Sequence, residues 1–312
     1  MKNQLFWLSV PESAGARGMY GNAGDLRNSG IEVSLNVQPV RTRLVQWDIN
    51  LNASHNTTKI LSLPESKMVD PENGVYGYTE SSRWLKLGGP LYNAFYHCYA
   101  GVNEKGEALY YVDSKLKDED GTVITNQPGT LKDETTTNPN VATYYELGSM
   151  LPKLFGGFGT TLTIGGFDAS VSFDYQLGGK VYDSRYQNFM APWADSGDAG
   201  STFHVDWAKA WSVNNTSSDI PRWYYSDQYS AATSDRWLTD ASYLNFQSFS
   251  VGYTFKNIVK GISKLRIYAV GENLYFWSAR KGLDPRYSYS GNTYVAVFSP
   301  VRTISGGVQV TF

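Results

Sequence analysis

The last eleven residues of the chain, Arg302 to Phe312, alternate polar and apolar side chains almost without a break. One set consists of Ile304, Gly306, Val308, Val310 and Phe312. The other consists of Thr303, Ser305, Gly307, Gln309 and Thr311. A period of two is that of a β-strand, whose successive side chains point to opposite sides of the sheet. The segment therefore predicts a strand with one apolar and one polar surrounding.

The same alternation recurs upstream. Its apolar positions are Ile31, Val33, Leu35, Val37; Val45, Trp47, Ile49, Leu51, Ala53; Ala169, Val171, Phe173, Tyr175, Leu177; Phe249, Val251, Tyr253, Phe255 and, less regularly, Leu265, Ile267, Ala269. Strands of about ten residues exceed the five or six typical of soluble sheets and suit a bilayer. A chain that ends such a strand on an aromatic residue is typical of bacterial outer-membrane β-barrels. There the last strand, here carrying Val308, Val310 and Phe312, closes the barrel.

Composition is compatible with this interpretation. A formal net charge of −2 with 18% charged residues gives no electrostatic reason to expect nucleic-acid binding. The mean hydropathy of −0.37 is no objection, because a barrel needs apolar residues only on its lipid face. No run approaches the roughly 20 apolar residues of a membrane helix. Cys98 is the single cysteine, which excludes an internal disulfide, and we expect no metal or cofactor.

The connections between strands alternate in length. Short links are predicted at 38–43, 88–90, 165–167 and 256–262, and long ones at about 59–80, 101–154, 186–238 and 278–301. Barrels show this asymmetry, with short periplasmic turns and long extracellular loops. Counting back from a periplasmic C-terminus predicts about ten strands. Ten strands alone would leave unpaired edges in lipid, and residues 1–6 do not open a signal peptide, so we expect a piece of a longer protein.

Several segments carry motifs in a fixed order. They are Gly21 to Glu32 (GNAGDLRNSGIE), Tyr99 to Asn103 (YAGVN) with Gly106-Glu107, Leu151 to Phe158 (LPKLFGGF) with Gly166-Phe167-Asp168, Gly178 to Tyr182 (GGKVY), Gly271 to Leu274 (GENL) and Lys281 to Pro285 (KGLDP). Together they resemble the SusC/RagA-like TonB-dependent outer-membrane transporters of Bacteroidetes over nearly the whole chain. Three positions depart from the pattern: Asn103 replaces the usual Asp, Lys105 the usual Thr, and Glu272 the usual Gln.

The resemblance implies an all-β fold, a transmembrane antiparallel β-barrel. Residues 1–312 would supply about ten C-terminal strands of a 22-stranded plugged barrel with long extracellular loops, without its N-terminal strands, plug and signal peptide. It further implies a SusD-like surface lipoprotein that covers the barrel, a TonB complex that acts through the missing N-terminal part, and outer-membrane lipid around the wall. The implied cargo is an oligosaccharide (glycan) or a peptide.

The loop between residues 186 and 238 is rich in aromatic side chains. Its candidates for contact with substrate or with the lipoprotein are Trp193, Trp207, Trp211, Trp223, Tyr224, Tyr225 and Trp237. Aromatic rings stack on sugar rings and anchor protein interfaces, which supports either role. The alternative is that a loop of this length uses its aromatic residues to pack a small core of its own.

Charged residues on the polar side of the predicted strands are candidates to line the barrel lumen. They are Glu32, Asp48, Asp174, Arg266 and Glu272. The alternative is that they are solvated or hydrogen bond with the plug. The run Asp118-Glu119-Asp120-Gly121 predicts a turn, because it lacks the spaced oxygen ligands of a calcium loop.

The leading functional hypothesis is nutrient import across the outer membrane. The alternatives are a structural or adhesive barrel without active uptake and, less favoured, a secreted β-rich carbohydrate-binding protein. We assign no catalytic residues and expect no enzyme, because no motif places a nucleophile, a base and an orienting group together.

Overall fold

The computed structural model describes residues 2, 4–9, 13, 15, 18–64, 77–80, 82–191, 203–224, 227–287 and 300–312. These residues form mostly antiparallel strands. The strands are β1 (Gln4–Ser9), β2 (Gly18–Arg41), β3 (Val45–Ser62), β4 (Tyr78–Glu80), β5 (Arg83–Leu85), β6 (Asn93–His97), β7 (Tyr99–Val102), β8 (Ala108–Val112), β9 (Glu134–Thr136), β10 (Tyr144–Ser149), β11 (Leu154–Ile164), β12 (Phe167–Leu177), β13 (Lys180–Tyr182), β14 (Leu238–Asp240), β15 (Tyr243–Val259), β16 (Ile262–Ser278) and β17 (Thr303–Thr311).

Helical structure is sparse in the described part of the chain. It comprises one α-helix, α1 (Ser184–Phe189), and 3-10 helices at Pro139–Val141, Val205–Lys209, Asp235–Trp237 and Pro285–Tyr287. Among the residues described, no helix is both long enough and apolar enough to cross a membrane.

Eight strands form the main sheet, in the order β1-β2-β3-β11-β12-β15-β16-β17. Each is antiparallel to its neighbours, which confirms the predicted all-β antiparallel architecture. The remaining strands lie in the two long connections, 63–153 and 178–242. There they form smaller sheets of four, three and two strands.

The count of about ten strands differs from the eight found in the main sheet of the described residues. The link at 88–90, expected at the short-turn end, lies at the opposite end. Its backbone hydrogen bonds there with the end of β3, through Ile60 N to Gly89 O (3.0 Å) and Gly88 N to Ile60 O (2.8 Å). The other three short links connect β2 to β3, β11 to β12 and β15 to β16 as predicted. A wrongly assigned hairpin adds two strands and leaves the direction of every other strand unchanged. Counting back from the C-terminus therefore did not reveal the error at 88–90.

The register of the main sheet brings the apolar positions of neighbouring strands onto one face. One row crosses six strands: Leu35, Leu51, Phe158, Phe173, Phe246 and Tyr275. Ring centroids in this row are 5.0 Å apart for Phe158 and Phe173 and 4.8 Å apart for Phe173 and Phe246, in stacked arrangements. Cross-strand aromatic pairs of this kind add to sheet stability beyond the area they bury.

The C-terminal strand continues this face. Val308 lies opposite Ile267 and Val310 opposite Leu265, so the predicted apolar set of β17 lies on the same face as the apolar residues of β16. Val308 is 64% exposed, and Phe312, just beyond the end of β17, is 87% exposed. Many other apolar side chains of the main sheet are exposed as well, which is the pattern of a surface made for a non-aqueous environment.

Bulges keep the apolar face continuous where the alternation of the sequence changes phase. In β2, the pairing passes from Val37 opposite Ile49 to Val40 opposite Trp47, and Pro39, which has no N–H to donate, lies in the irregularity. In β15, Gln247 is the extra residue between Phe246 and Ser248. Both shifts turn the next apolar side chain back to the same face.

The GENL segment is a third irregularity, in β16. Asn273 has a φ of +51°, a left-handed conformation that Asn tolerates better than most residues. The ring of Phe249 covers Gly271, and a Cβ there would lie 2.3 Å from its Cε1. This segment therefore requires a glycine under an aromatic ring and an asparagine at the kink.

Thr160 is a polar side chain on the apolar face. Its hydroxyl donates to the carbonyl of Asp48 (2.9 Å) and accepts from the indole Nε1 of Trp47 (2.7 Å). An unpaired hydroxyl in hydrocarbon is costly, and these two bonds remove that cost.

Replacing Leu35 by Arg tests which face meets lipid. Leu35 is 50% exposed at mid-height of the apolar face, and an arginine near the bilayer midplane costs about 2–4 kcal/mol. We expect L35R to lower the free energy of unfolding of the full-length protein in lipid vesicles by this amount, measured by urea titration.

The matched control is S34R, one residue away on the opposite, polar face, where Ser34 faces Asn52. We expect a change within about 0.5 kcal/mol. Equal losses in the two variants would mean that the faces are assigned wrongly.

Candidate functional site

The two long connections pack together into one unit at the end of the sheet opposite the short turns. We call residues 77–153 and 178–242, where described, the loop layer. Its main core joins both connections, with the buried residues Ala94, Tyr96, Met150, Tyr182, Met190, Ala191, Ala231 and Trp237. Tyr96 of β6 and Tyr182 of β13 stack with ring centroids 4.8 Å apart. The two connections thus share one buried core, to which both contribute side chains.

A second cluster fastens the loop layer to the sheet. Ile60 and Leu63, at the end of β3, pack with Tyr78 and Leu85, and Leu26 of β2 lies against them. Burial raises the pKa of Tyr78 to about 12. The loop layer is thereby seated on the sheet through side chains as well as through the backbone bonds at Ile60.

Trp237 and Trp207 lie inside the loop layer rather than on its surface. Trp237 is 1% exposed and donates from Nε1 to the carbonyl of Ala232 (2.9 Å). Trp207 packs against the same core and donates to the carbonyl of Phe189 (3.2 Å). These two candidates for ligand contact are placed in packing positions, because their rings fill space between the two connections.

Trp223 and Tyr224 are the exposed members of the aromatic set, at 54% and 59%. The guanidinium of Arg222, 5.1 Å from the centroid of the Tyr224 ring, lies over that ring. Trp211 is half-buried, with its ring against Gly106. The predicted candidates Trp193 and Tyr225 lie outside the described residues.

A cleft of about 420 Å³ opens beside Tyr224. Its lining is Glu107, Ala108, Thr137, Arg222, Tyr224, Asp227, Gln228 and Tyr229. The wall combines two carboxylates, one guanidinium and two phenol rings. Such a surface offers hydrogen bonds and ring faces together, which suits a polar organic ligand. Sequence reasoning identified Tyr224 as a candidate, but not the acidic residues Glu107 and Asp227 that face the same cleft.

The Tyr99 to Glu107 motif builds one side of the cleft. Asn103 Oδ1 accepts from the backbone N–H of Lys105 and Glu107 (both 2.9 Å), and its Nδ2 donates to Glu107 Oε2 (2.8 Å). Arg222 donates to the other oxygen of Glu107 (3.3 Å). The asparagine that departs from the family pattern therefore supplies a donor that an aspartate lacks.

Buried tyrosines support the cleft from behind. Tyr110 is 1% exposed, and its hydroxyl donates to the carbonyl of Tyr229. Burial raises the pKa of Tyr110, so it stays a neutral donor at physiological pH. Cys98, which precedes the Tyr99 to Glu107 motif, is fully buried. Burial raises the pKa of its thiol to about 11, and the thiol is therefore unreactive.

The charged lumen candidates lie on the face of the sheet opposite the apolar one. Asp48 accepts from Gln38 (2.9 Å), and Asp174 accepts from Asn245 (2.6 Å). Arg266 donates from Nε to Asp168 (3.1 Å), an ion pair that joins β12 and β16. Glu272 is exposed opposite Ser248, and Glu32 is exposed opposite Ser54.

Asp118 forms a tight turn, as predicted for that acidic run. Its Oδ1 accepts from the backbone N–H of Asp120 (3.1 Å) and Thr122 (2.8 Å), and Gly121 has a φ of +80°. Within the described ranges, no group of three or more His, Cys, Asp or Glu residues is arranged to hold a metal ion.

This geometry defines a class: an outer wall with an apolar and a polar face, capped at one end by an aromatic-rich loop layer. No family model matches the chain. The TonB-dependent receptor P3 of Formosa agariphila is 25% identical over 324 residues, covering 99% of this chain and 31% of that receptor. The TonB-dependent receptor SusC of Bacteroides thetaiotaomicron is 26% identical over 272 residues, covering 86% of this chain and 25% of that receptor.

Solved structures show the same fold. The RagAB peptide transporter superposes on the whole chain with a TM-score of 0.73 at 21% identity, and the chain covers 32% of the matched protein. RagAB in its open-open state gives 0.75. The chain is therefore a relative of the SusC/RagA-like TonB-dependent receptors, as its motifs indicate, and spans about 31% of the length of the first relative.

Trp237 and Trp223 provide a matched pair of tryptophan truncations. W237A removes a ring that is 1% exposed, and we expect a loss of about 3–5 kcal/mol in loop-layer stability. W223A removes a ring that is 54% exposed, and we expect a change within about 0.5 kcal/mol. Amide hydrogen exchange of β6 and β10 in the full-length protein measures both. Comparable exchange in the two variants would contradict the assigned core.

His97 makes the loop layer sensitive to acid. Burial lowers its pKa, and its bond with the Thr143 carbonyl opposes this only in part. The unfolded layer therefore binds a proton near pH 6.5 that the folded layer does not, so stability should fall as the pH drops below about 6.5, by at most about 1.4 kcal/mol per pH unit.

Hydrogen exchange of β6, corrected for the intrinsic effect of pH, measures this dependence. We expect H97N to remove most of the slope between pH 7 and 5, whereas H55N, on the main sheet, leaves it intact. A slope unchanged in H97N would assign the acid sensitivity to another group.

Proposed function

We propose that this chain forms the C-terminal wall, outer loops and closing strand of a TonB-dependent importer in a bacterial outer membrane. The observation that carries the proposal is the eight-stranded sheet with one apolar and one polar face, whose end opposite the short turns carries the loop layer. Similarity to TonB-dependent receptors over 99% of the chain supports the same conclusion.

The height of the apolar face fits this role. On β2 it extends from Ile31 to Val40, about 30 Å along the strand at roughly 3.3 Å per residue. A tilt of about 40° reduces this to about 23 Å, close to the apolar band of about 25 Å in outer-membrane barrels. Aromatic pairs lie towards opposite ends of the last long hairpin, Tyr275 with Trp277 near the loop-layer end of β16 and Tyr253 with Phe255 in the half of β15 nearer the short turn.

On this proposal, the polar face lines the lumen with Glu32, Asp48, Asp174, Arg266 and Glu272. The remaining strands and the plug come from the rest of the protein, and TonB acts there. Phe312 and the last strand complete the wall. The chain's own residues then hold the passage and present the outer surface, and transport rather than catalysis is the activity.

The loop layer would face outwards, where a SusD-like surface lipoprotein would dock over it. The captured substrate would be an oligosaccharide or a peptide. The RagAB structures are of a peptide transporter, so the peptide class is kept beside the oligosaccharide class. Trp223 and Tyr224 are the aromatic residues best placed for either contact, because they are exposed beside the cleft.

The first experiment is affinity purification of the full-length protein from detergent-solubilised membranes, with identification of what accompanies it. We expect a SusD-like lipoprotein in a fixed ratio. Recovery without that partner would favour a structural or adhesive barrel. Recovery from the aqueous fraction without detergent would favour a secreted β-rich carbohydrate-binding protein and overturn the proposal.

The double variant W223A/Y224A tests the outer surface. Losing two exposed aromatic contacts should weaken binding of substrate or lipoprotein about 10-fold. Binding of the purified lipoprotein and uptake of labelled oligosaccharides or peptides by cells are the two measurements.

The matched control is V213A in the same connection, where Val213 is 83% exposed and lies away from the cleft lining. We expect wild-type binding and uptake. A loss in V213A equal to that in W223A/Y224A would contradict a specific role for the two aromatic residues.

A further inference from the structure

Arg27 of β2 and Lys59 of β3 face each other directly across the sheet. Both side chains are exposed. Side chains opposite one another in an antiparallel pair have Cβ atoms about 5 Å apart, and like charges in that position destabilise the sheet. Among the described residues neither cation forms an ion pair. Asp25, farther along β2, lies opposite Ser62 beyond a register shift.

The position of this pair limits what can neutralise it. Arg27 and Lys59 alternate in phase with Ile31 and Val33, so they belong to the apolar, outward face of the wall. One row, Ser29 opposite Thr57 with their hydroxyls 3.3 Å apart, separates the two cations from the last apolar row, in which Ile31 lies opposite His55.

The cations therefore lie about 13 Å along the strand beyond the last apolar row, at the end that carries the loop layer. On the membrane orientation proposed above, a strand tilt of about 40° places them about 10 Å above the apolar border, on the headgroup side of the hydrocarbon and outside the lumen.

We infer that Arg27 and Lys59 bind the phosphate of an anionic lipid headgroup in the outer leaflet. The planar guanidinium of Arg27 would take two phosphate oxygens, and the ammonium of Lys59 would add a point charge from the neighbouring strand. The hydroxyls of Ser29 and Thr57 lie between this site and the hydrocarbon, where they bond each other (3.3 Å) and Thr57 donates to the carbonyl of Ser29 (3.2 Å). The inference rests on the membrane orientation proposed above.

The test uses the full-length protein in phosphatidylcholine nanodiscs, with bis-phosphorylated lipid A or the same lipid with its phosphates removed as the added probe. We expect the phosphorylated lipid to raise the melting temperature of the wild type more than the dephosphorylated lipid does, and increasingly so at low salt. In R27Q/K59Q the affinity for the phosphorylated lipid should fall about 30-fold, or about 5-fold for each cation removed.

Two further variants separate binding from folding. R41Q/R43Q removes two cations at the opposite end, one from the last residue of β2 and one from the turn to β3, and should retain wild-type affinity. R27E places a carboxylate opposite Lys59, so it should keep or raise the melting temperature without probe while losing the response to the phosphorylated lipid.

Equal affinity of the wild type and R27Q/K59Q, or an equal response to both probes, would overturn the inference while leaving the importer proposal intact. Failure of the wild type to enter nanodiscs would instead overturn the membrane orientation itself.

Discussion

The register of the antiparallel ladder is the constraint on which the rest of this structure depends. Side chains alternate with a period of two, so a slip of one residue would exchange the two faces of a strand. In a wall that meets lipid on one side and water on the other, such a slip would place Asp174 or Arg266 in hydrocarbon. The bulges at Pro39 and Gln247 show how the chain corrects its phase, since each adds one residue and returns the apolar side chains to the same face.

The same constraint explains the few polar groups and small residues on the apolar face. Thr160 is accommodated because it bonds both the Trp47 indole and a backbone carbonyl. Gly271 leaves room for the ring of Phe249, which covers the bare backbone there. In each case a local departure from an aliphatic surface is matched by a neighbour on the next strand, so the departure can be understood only from the register.

Sequence reasoning predicted the wall well because alternation is a local signal. Residues 169–177, 249–255 and 304–311 lie in strands with the predicted apolar and polar sets. The bulges and the true number of strands were harder to predict, because the turn at 88–90 has the composition of any short hairpin and pairs with the distant Ile60. The loop layer was harder still. Trp237 and Trp223 are alike in sequence, and their difference in exposure arises from packing between two connections far apart in the chain.

The wall and the loop layer are stabilised in different ways. The wall exposes an apolar face, which is unfavourable in water, whereas the loop layer has a buried core rich in aromatic residues. Two groups of the cleft are held by neighbours: Tyr110 bonds the carbonyl of Tyr229, and Asn103 fixes the carboxylate that pairs with Arg222, whose guanidinium lies over the Tyr224 ring. These supports lie within the loop layer, so the geometry of the cleft depends on packing between the two connections and not on the register of the sheet beneath it.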